Sequence, residues 1–125
     1  MTRSRMLGIV FVAAFALLIA FFALRSSPFF QPISWLPRWI GRWADSHGIA
    51  RNLAAFFAFG FAAFVILGPR WRLCLILSAF ATVLEVSQIW IPTRIYDWKD
   101  IVASVAGILL AWPLAWLVHR LKRRA

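Results

Sequence analysis

Acidic residues are scarce in this chain: Asp and Glu together number 4 in 125 residues, against 14 Lys and Arg, for a formal net charge of +10. Cysteine is scarcer still. The single Cys74 excludes an intramolecular disulfide and any cysteine-rich metal site. The 2 histidines, His47 and His119, lie far apart and make no metal-ligand spacing, so neither a metal nor a cofactor is expected. No Ser, His and Asp constellation and no phosphate-binding glycine loop occurs. Charged residues of both signs make up only 14% of the chain while 63% is apolar. A short soluble domain, with its high surface-to-volume ratio, needs a more polar shell than this. The surplus of cations lies between apolar runs and near the two ends rather than along one stripe, which argues against a nucleic-acid partner and for membrane-flanking charge.

What is abundant is uninterrupted apolar sequence. Residues 6–24 carry no charge and as a helix would extend about 28 Å at roughly 1.5 Å per residue, the thickness of a bilayer's hydrocarbon core. Arg3 and Arg5 ahead of this run resemble the start of a secretory signal, but Phe21 stands two before Ala23, where a cleavage site ending at Ala23 would need a small residue. An uncleaved first span is therefore expected. Further runs cover residues 49–67, closed by Gly68, Pro69 and Arg70; 73–91, closed by Pro92; and 101–118, which holds Pro113. A proline inside a spanning helix is tolerated where neighbouring helices satisfy the freed carbonyl.

Between the first two runs, Pro28, Pro32 and Pro37 stiffen the chain, and Pro37 suits the first turn of a short helix. From there Trp39, Ile40 and Trp43 fall on one side, and Arg38, Arg42 and Asp45 on the other. This predicts an amphipathic segment in the headgroup layer. The expected fold is all-α: a single-domain integral membrane bundle, residues 1–125, of four transmembrane helices with a short interfacial amphipathic helix between the first and second.

Four spans put both chain ends on one side. The amino end, the Pro69 turn and the carboxyl end hold 2, 2 and 4 Lys or Arg and no acid, whereas the two opposite loops hold 4 and 2 together with acids. The positive-inside rule then places both termini in the cytoplasm and residues 25–52 and 92–100 on the outer face.

Glu85 is the one charge inside the third run, and a carboxylate there costs several kcal/mol unless it is sheltered and partnered. Ser78, Thr82, Glu85 and Gln88 recur at spacings of four, three and three, so they form one polar stripe on that helix. Glu85 would lie about 9 Å inside the outer end of its helix. The following loop holds Arg94, Asp97, Lys99 and Asp100, with Asp100 placed to cap the fourth helix and Ser104 one turn further in. Small residues at Ser104, Gly107 and Ala111 on the fourth helix, and at Ala54, Ala58 and Ala62 on the second, suit close helix packing. Such packing would bring Asn52 close to Glu85 and Asp100.

The order Glu85, Gln88, Pro92, Arg94, Asp97, Asp100, Gly107 resembles the signature of the VanZ-like family of small bacterial integral membrane proteins. That signature runs E-x-x-Q, Arg six residues on, Asp six further, then N-x-x-G. The segment N-L-A-A-F-F-A-F-G, with Asn52, Phe56 and Gly60, is similar to the family's earlier N-x-x-x-F-x-x-x-G element, and the resemblance covers about residues 50–118. One position departs: Ser104 stands where the family has Asn, keeping a hydrogen-bonding group but losing the amide. The family takes its name from a member associated with resistance to the glycopeptide teicoplanin. The resemblance therefore implies the bacterial cytoplasmic (inner) membrane and the cell envelope rather than a particular reaction.

The leading expectation is an envelope membrane protein whose outward-facing polar pocket binds a lipid headgroup or lipid-linked precursor. Its ligand-binding residues would be Asn52, Glu85, Gln88, Arg94, Asp97, Asp100 and Ser104, with Arg94 engaging phosphate. The alternatives are a membrane-embedded enzyme acting on such a lipid, with Glu85 or Asp97 as general base, and a small proton-coupled transporter titrating at Glu85. The bilayer and its anionic headgroups are the expected partners. Four spans are few for a transporter, which would call for a homo-oligomer.

Overall fold

The computed structural model describes residues 2–24, 34–91 and 97–124, apart from the side chains at 44 and 45. These residues form five α-helices and no strand. Helix α1 is Arg3–Leu24, α2 Arg38–Ser46, α3 Gly48–Leu67, α4 Trp71–Ser87 and α5 Trp98–Arg124, and a 3₁₀ turn over Gln88–Trp90 prolongs α4. Helices α1, α3 and α5, and α4 together with its 3₁₀ extension, are long and apolar enough to cross a membrane. Helix α5 continues to Arg124, well past the end of its apolar run at Val118, because Arg, Leu and Lys are all good helix formers. An apolar run measures the bilayer, not the helix.

Local chemistry sets the breaks. Pro37 precedes α2, and its carbonyl accepts the amides of Ile40 and Gly41 at 3.1 Å each. At the end of α3, Gly68 adopts φ 105°, a conformation open to glycine, and its amide bonds the Phe64 carbonyl at 2.9 Å. Pro69 then forbids further helix, so α4 starts within a tight turn.

Helices α3 and α5 run parallel and share the most extensive interface of the bundle, because small residues let their backbones meet. A Cβ on Gly107 would collide with the Leu53 carbonyl oxygen and come within 2.9 Å of the Phe57 amide nitrogen. Gly60 faces Ile108 and Ala111 in turn, at ordinary to close contact. On α5, Ser104, Gly107 and Ala111 are buried as their spacing implied. On α3 the stripe is different: Ala54 and Ala58 are exposed, and the packed face is Phe56, Phe59, Gly60, Ala63 and Phe64. Volume decides this, since the aromatic rings fill the space between helices while glycine admits the neighbouring backbone. Phe59 joins the layers, with its ring centroid 5.4 Å from Phe15 of α1 and 5.7 Å from Phe80 of α4.

Helix α1 packs antiparallel to α3, Gly8 against Ile66, and has no buried residue of its own. The result is a bundle with two distinct ends. One gathers Leu24, α2, Gly48, Ser87 and Trp98; the other gathers Arg3, the Gly68 turn and Arg124.

Candidate functional site

At the first of these ends a cavity of about 290 Å³ opens between α1, α3, α4 and α5. Its polar wall is Arg51 and Asn52 from the first turns of α3, Glu85 from α4, Gln88 from the 3₁₀ turn and Asp100 from the first turn of α5. Its apolar wall includes Phe15, Leu18, Ile19 and Phe22 of α1. Glu85 is 4% exposed and Gln88 6%. The helix period puts them on the same side, and the change to a 3₁₀ turn at Gln88 begins the chain's exit from the bundle.

Gln88 ties the two walls together. Its Nε2 donates to the Ala23 carbonyl at 3.0 Å, in the last turn of α1, where carbonyls run out of intrahelical partners. Asn52 meets Glu85 and Asp100 in this lining because the α3 and α5 backbones approach so closely at Leu53 and Gly107.

The structure sorts the remaining expected residues. Asp97, half-buried, is the cap of α5: its Oδ1 accepts the Lys99 amide at 3.0 Å and its carbonyl accepts the Asp100 amide at 3.0 Å. The cap is thus Asp97 and not Asp100, because the helix begins at Trp98, ahead of the apolar run. Asp100 lines the cavity instead. Ser104 is fully buried and lies outside the lining, and its hydroxyl donates to the Asp100 carbonyl at 2.8 Å. The lower half of the α4 stripe is similarly occupied, with Thr82 donating to the Ser78 carbonyl at 2.8 Å. Arg94 lies outside the described residues.

Arg51 is the residue that sequence reasoning passed over. It looked like one more membrane-edge cation, yet it is the neighbour of Asn52 in the first turns of α3, and both point into the same space as Ala55 and Phe56. The α1 wall was also missed, since a uniformly apolar helix carries no signal of which face lines a cavity. His47 takes no part: it is exposed, stacked on Trp43 at 5.4 Å, with Nδ1 3.0 Å from the Trp43 carbonyl. Among the described residues no three His, Cys, Asp or Glu side chains gather as metal ligands would.

Two carboxyl groups, a guanidinium and two primary amides share one polar lining, and the aromatic and aliphatic side chains of α1 face it. A polar cavity enclosed by four apolar helices defines a multi-pass helical membrane protein. The VanZ/LLP1 family model matches residues 9–119, and the chain belongs to that family. The match begins within α1, well ahead of the Asn52 segment, and so takes in the helix that supplies the apolar wall. No curated protein and no solved structure matches the chain.

Proposed function

We propose that this protein binds the headgroup of a lipid or lipid-linked envelope precursor in the cavity between α1, α3, α4 and α5. The protein sits in the bacterial cytoplasmic membrane with both termini in the cytoplasm and the cavity toward the outer face. The orientation is supported by charge: Arg3, Arg5, Arg70, Arg72, Arg120, Lys122, Arg123 and Arg124 lie at the terminal end, where the sequence has no acid.

The observation that carries this reading is the two-sided cavity wall. Polar groups from α3, the end of α4 and the start of α5 face the apolar helix α1 across one space, a two-part wall that matches the two-part chemistry of an amphiphile. A volume of about 290 Å³ suits a headgroup and the first part of a chain rather than a whole lipid, since whole small-molecule sites start near ~300 Å³. Arg51 would engage phosphate, as would Arg94 of the sequence between α4 and α5, and Glu85 and Asp100 would accept from hydroxyl or ammonium groups.

Native mass spectrometry of the detergent-purified protein tests this. Wild type should carry a lipid that Gln88→Leu and Arg94→Ala lose about tenfold, the effect of one charge-assisted or buried hydrogen bond. Equal retention in all three would contradict the site.

The presence of both Glu85 and Asp100 in one lining favours, as a second reading, acid and base chemistry on the bound lipid. Of the two expected general bases, Asp97 caps α5 and lies outside the cavity, which leaves Glu85. Lipid turnover in proteoliposomes that disappears in Glu85→Gln while binding persists would support catalysis over binding alone.

A further inference from the structure

The opposite end of the bundle holds a second, chemically different site. A cleft of about 880 Å³ is lined by Arg5 of α1, Arg70 of the turn between α3 and α4, and Trp116, His119, Arg120 and Arg123 of α5. Among the described residues no Asp or Glu lies in its lining. All 4 acidic residues, Asp45, Glu85, Asp97 and Asp100, belong to the other half of the molecule. Four guanidinium groups from three separate segments thus share one space with no Asp or Glu among the described lining residues, and their mutual repulsion favours an anion there.

The scaffold around them is fixed by bonds that leave the arginines uncommitted to it. Gly8 seats α1 on Ile66 with no room for a side chain, since a Cβ would lie 2.6 Å from the Ile66 Cγ2, and this brings Arg5 to the cleft. His119 Nε2 donates to the Val65 carbonyl at 3.1 Å, tying α5 to the end of α3. Trp112 Nε1 donates to the Pro69 carbonyl at 2.9 Å and pins the turn that carries Arg70. The Arg120 guanidinium lies 5.2 Å from the Trp116 ring centroid, which orients its donors while leaving them available.

Beside this cleft lies an apolar crevice of about 780 Å³ that shares Pro69, Arg70 and Trp116 with it and is otherwise walled mainly by Trp71, Trp112 and Pro113. Arg70 stands at the junction of the two. We propose that this end binds an acidic phospholipid, with its phosphodiester among Arg5, Arg70, Arg120 and Arg123 and its glycerol and first acyl carbons against the tryptophans. Arginine forks match phosphate oxygens, tryptophan rings sit at the depth of the glycerol backbone, and basic pockets between membrane helices hold anionic headgroups in this manner. The site is separate from the cavity lined by Glu85 and stands or falls independently of it.

The test compares two exchanges of equal charge. Arg70 and Arg124 are both exposed and both at this end, but only Arg70 lines the cleft. Native mass spectrometry of wild type, Arg70→Gln and Arg124→Gln in micelles containing phosphatidylglycerol and phosphatidylcholine should show phosphatidylglycerol retained in preference. Its retention should fall about tenfold in Arg70→Gln and stay near wild type in Arg124→Gln. Equal falls in both variants would reduce the cleft to general surface charge and overturn the proposal. A further arm adds inorganic phosphate: unchanged lipid occupancy supports a lipid ligand, while displacement of the lipid would assign the site to a soluble phosphate and overturn the lipid assignment.

Discussion

At one end of the bundle Glu85 and Gln88 are buried behind α1, whereas at the other Arg5, Arg70, Arg120 and Arg123 stand exposed around an open cleft. Side-chain reach accounts for the contrast. Glutamate and glutamine are too short to leave an apolar helix for the headgroups, so helices must enclose them; arginine carries its charge outward on a long stem. Packing follows the same division. Gly107 admits the α3 backbone beside the cavity, while Trp112, Trp116 and His119 fill the other half of α5 with large side chains bound to α3 and its turn or lining the cleft.

The largest effect should come from breaking the close contact at the cavity end. Gly107→Leu drives a side chain into the Leu53 carbonyl and should destabilise the protein by about 3 kcal/mol, seen as a lower thermal midpoint in detergent. Gly48→Ala, where the added atom meets only an arginine guanidinium nitrogen at 3.9 Å, should stay within about 0.5 kcal/mol of wild type.

A smaller and more diagnostic effect is expected one step along α5. Asp97→Ala removes the cap and should cost about 1 kcal/mol, while Asp97→Asn, an equally good cap, should be nearly neutral in stability and in lipid binding. Loss of function in Asp97→Asn with stability intact would instead give that carboxylate a chemical role. Of the three disruptive exchanges the smallest effect is expected of Trp112→Phe at the arginine end, which removes one hydrogen bond to the Pro69 carbonyl and should cost ~0.6 kcal/mol in the same thermal assay.

The four long helices and the short α2 are legible in the sequence because charge-free runs and the Trp39, Ile40, Trp43 spacing are dictated by solvent. The meeting of Asn52, Glu85, Gln88 and Asp100 is legible too, since polar residues in apolar helices must find one another. The exact start of α5 is not: Asp97 and Asp100 are both plausible caps until the fold decides whether Trp98 and Lys99 are helical. Ser104 misled for a related reason, as a serine hydroxyl reaches its own helix as readily as a ligand. The arginine cleft is invisible in one dimension. Arg5, Arg70 and Arg120 come from three distant segments, and each alone has the form of an ordinary membrane-edge charge.

The central claim, that the cavity between α1 and the other helices is occupied by an amphiphile, is tested most directly by filling it. Ala55 is exposed and lines the cavity without belonging to its polar wall, so Ala55→Trp should block the space and leave the helix packing in place. Lipid counted per protein by native mass spectrometry should fall by one in Ala55→Trp relative to wild type, with no change in thermal midpoint. An unchanged count and occupancy of bound lipid would contradict the account.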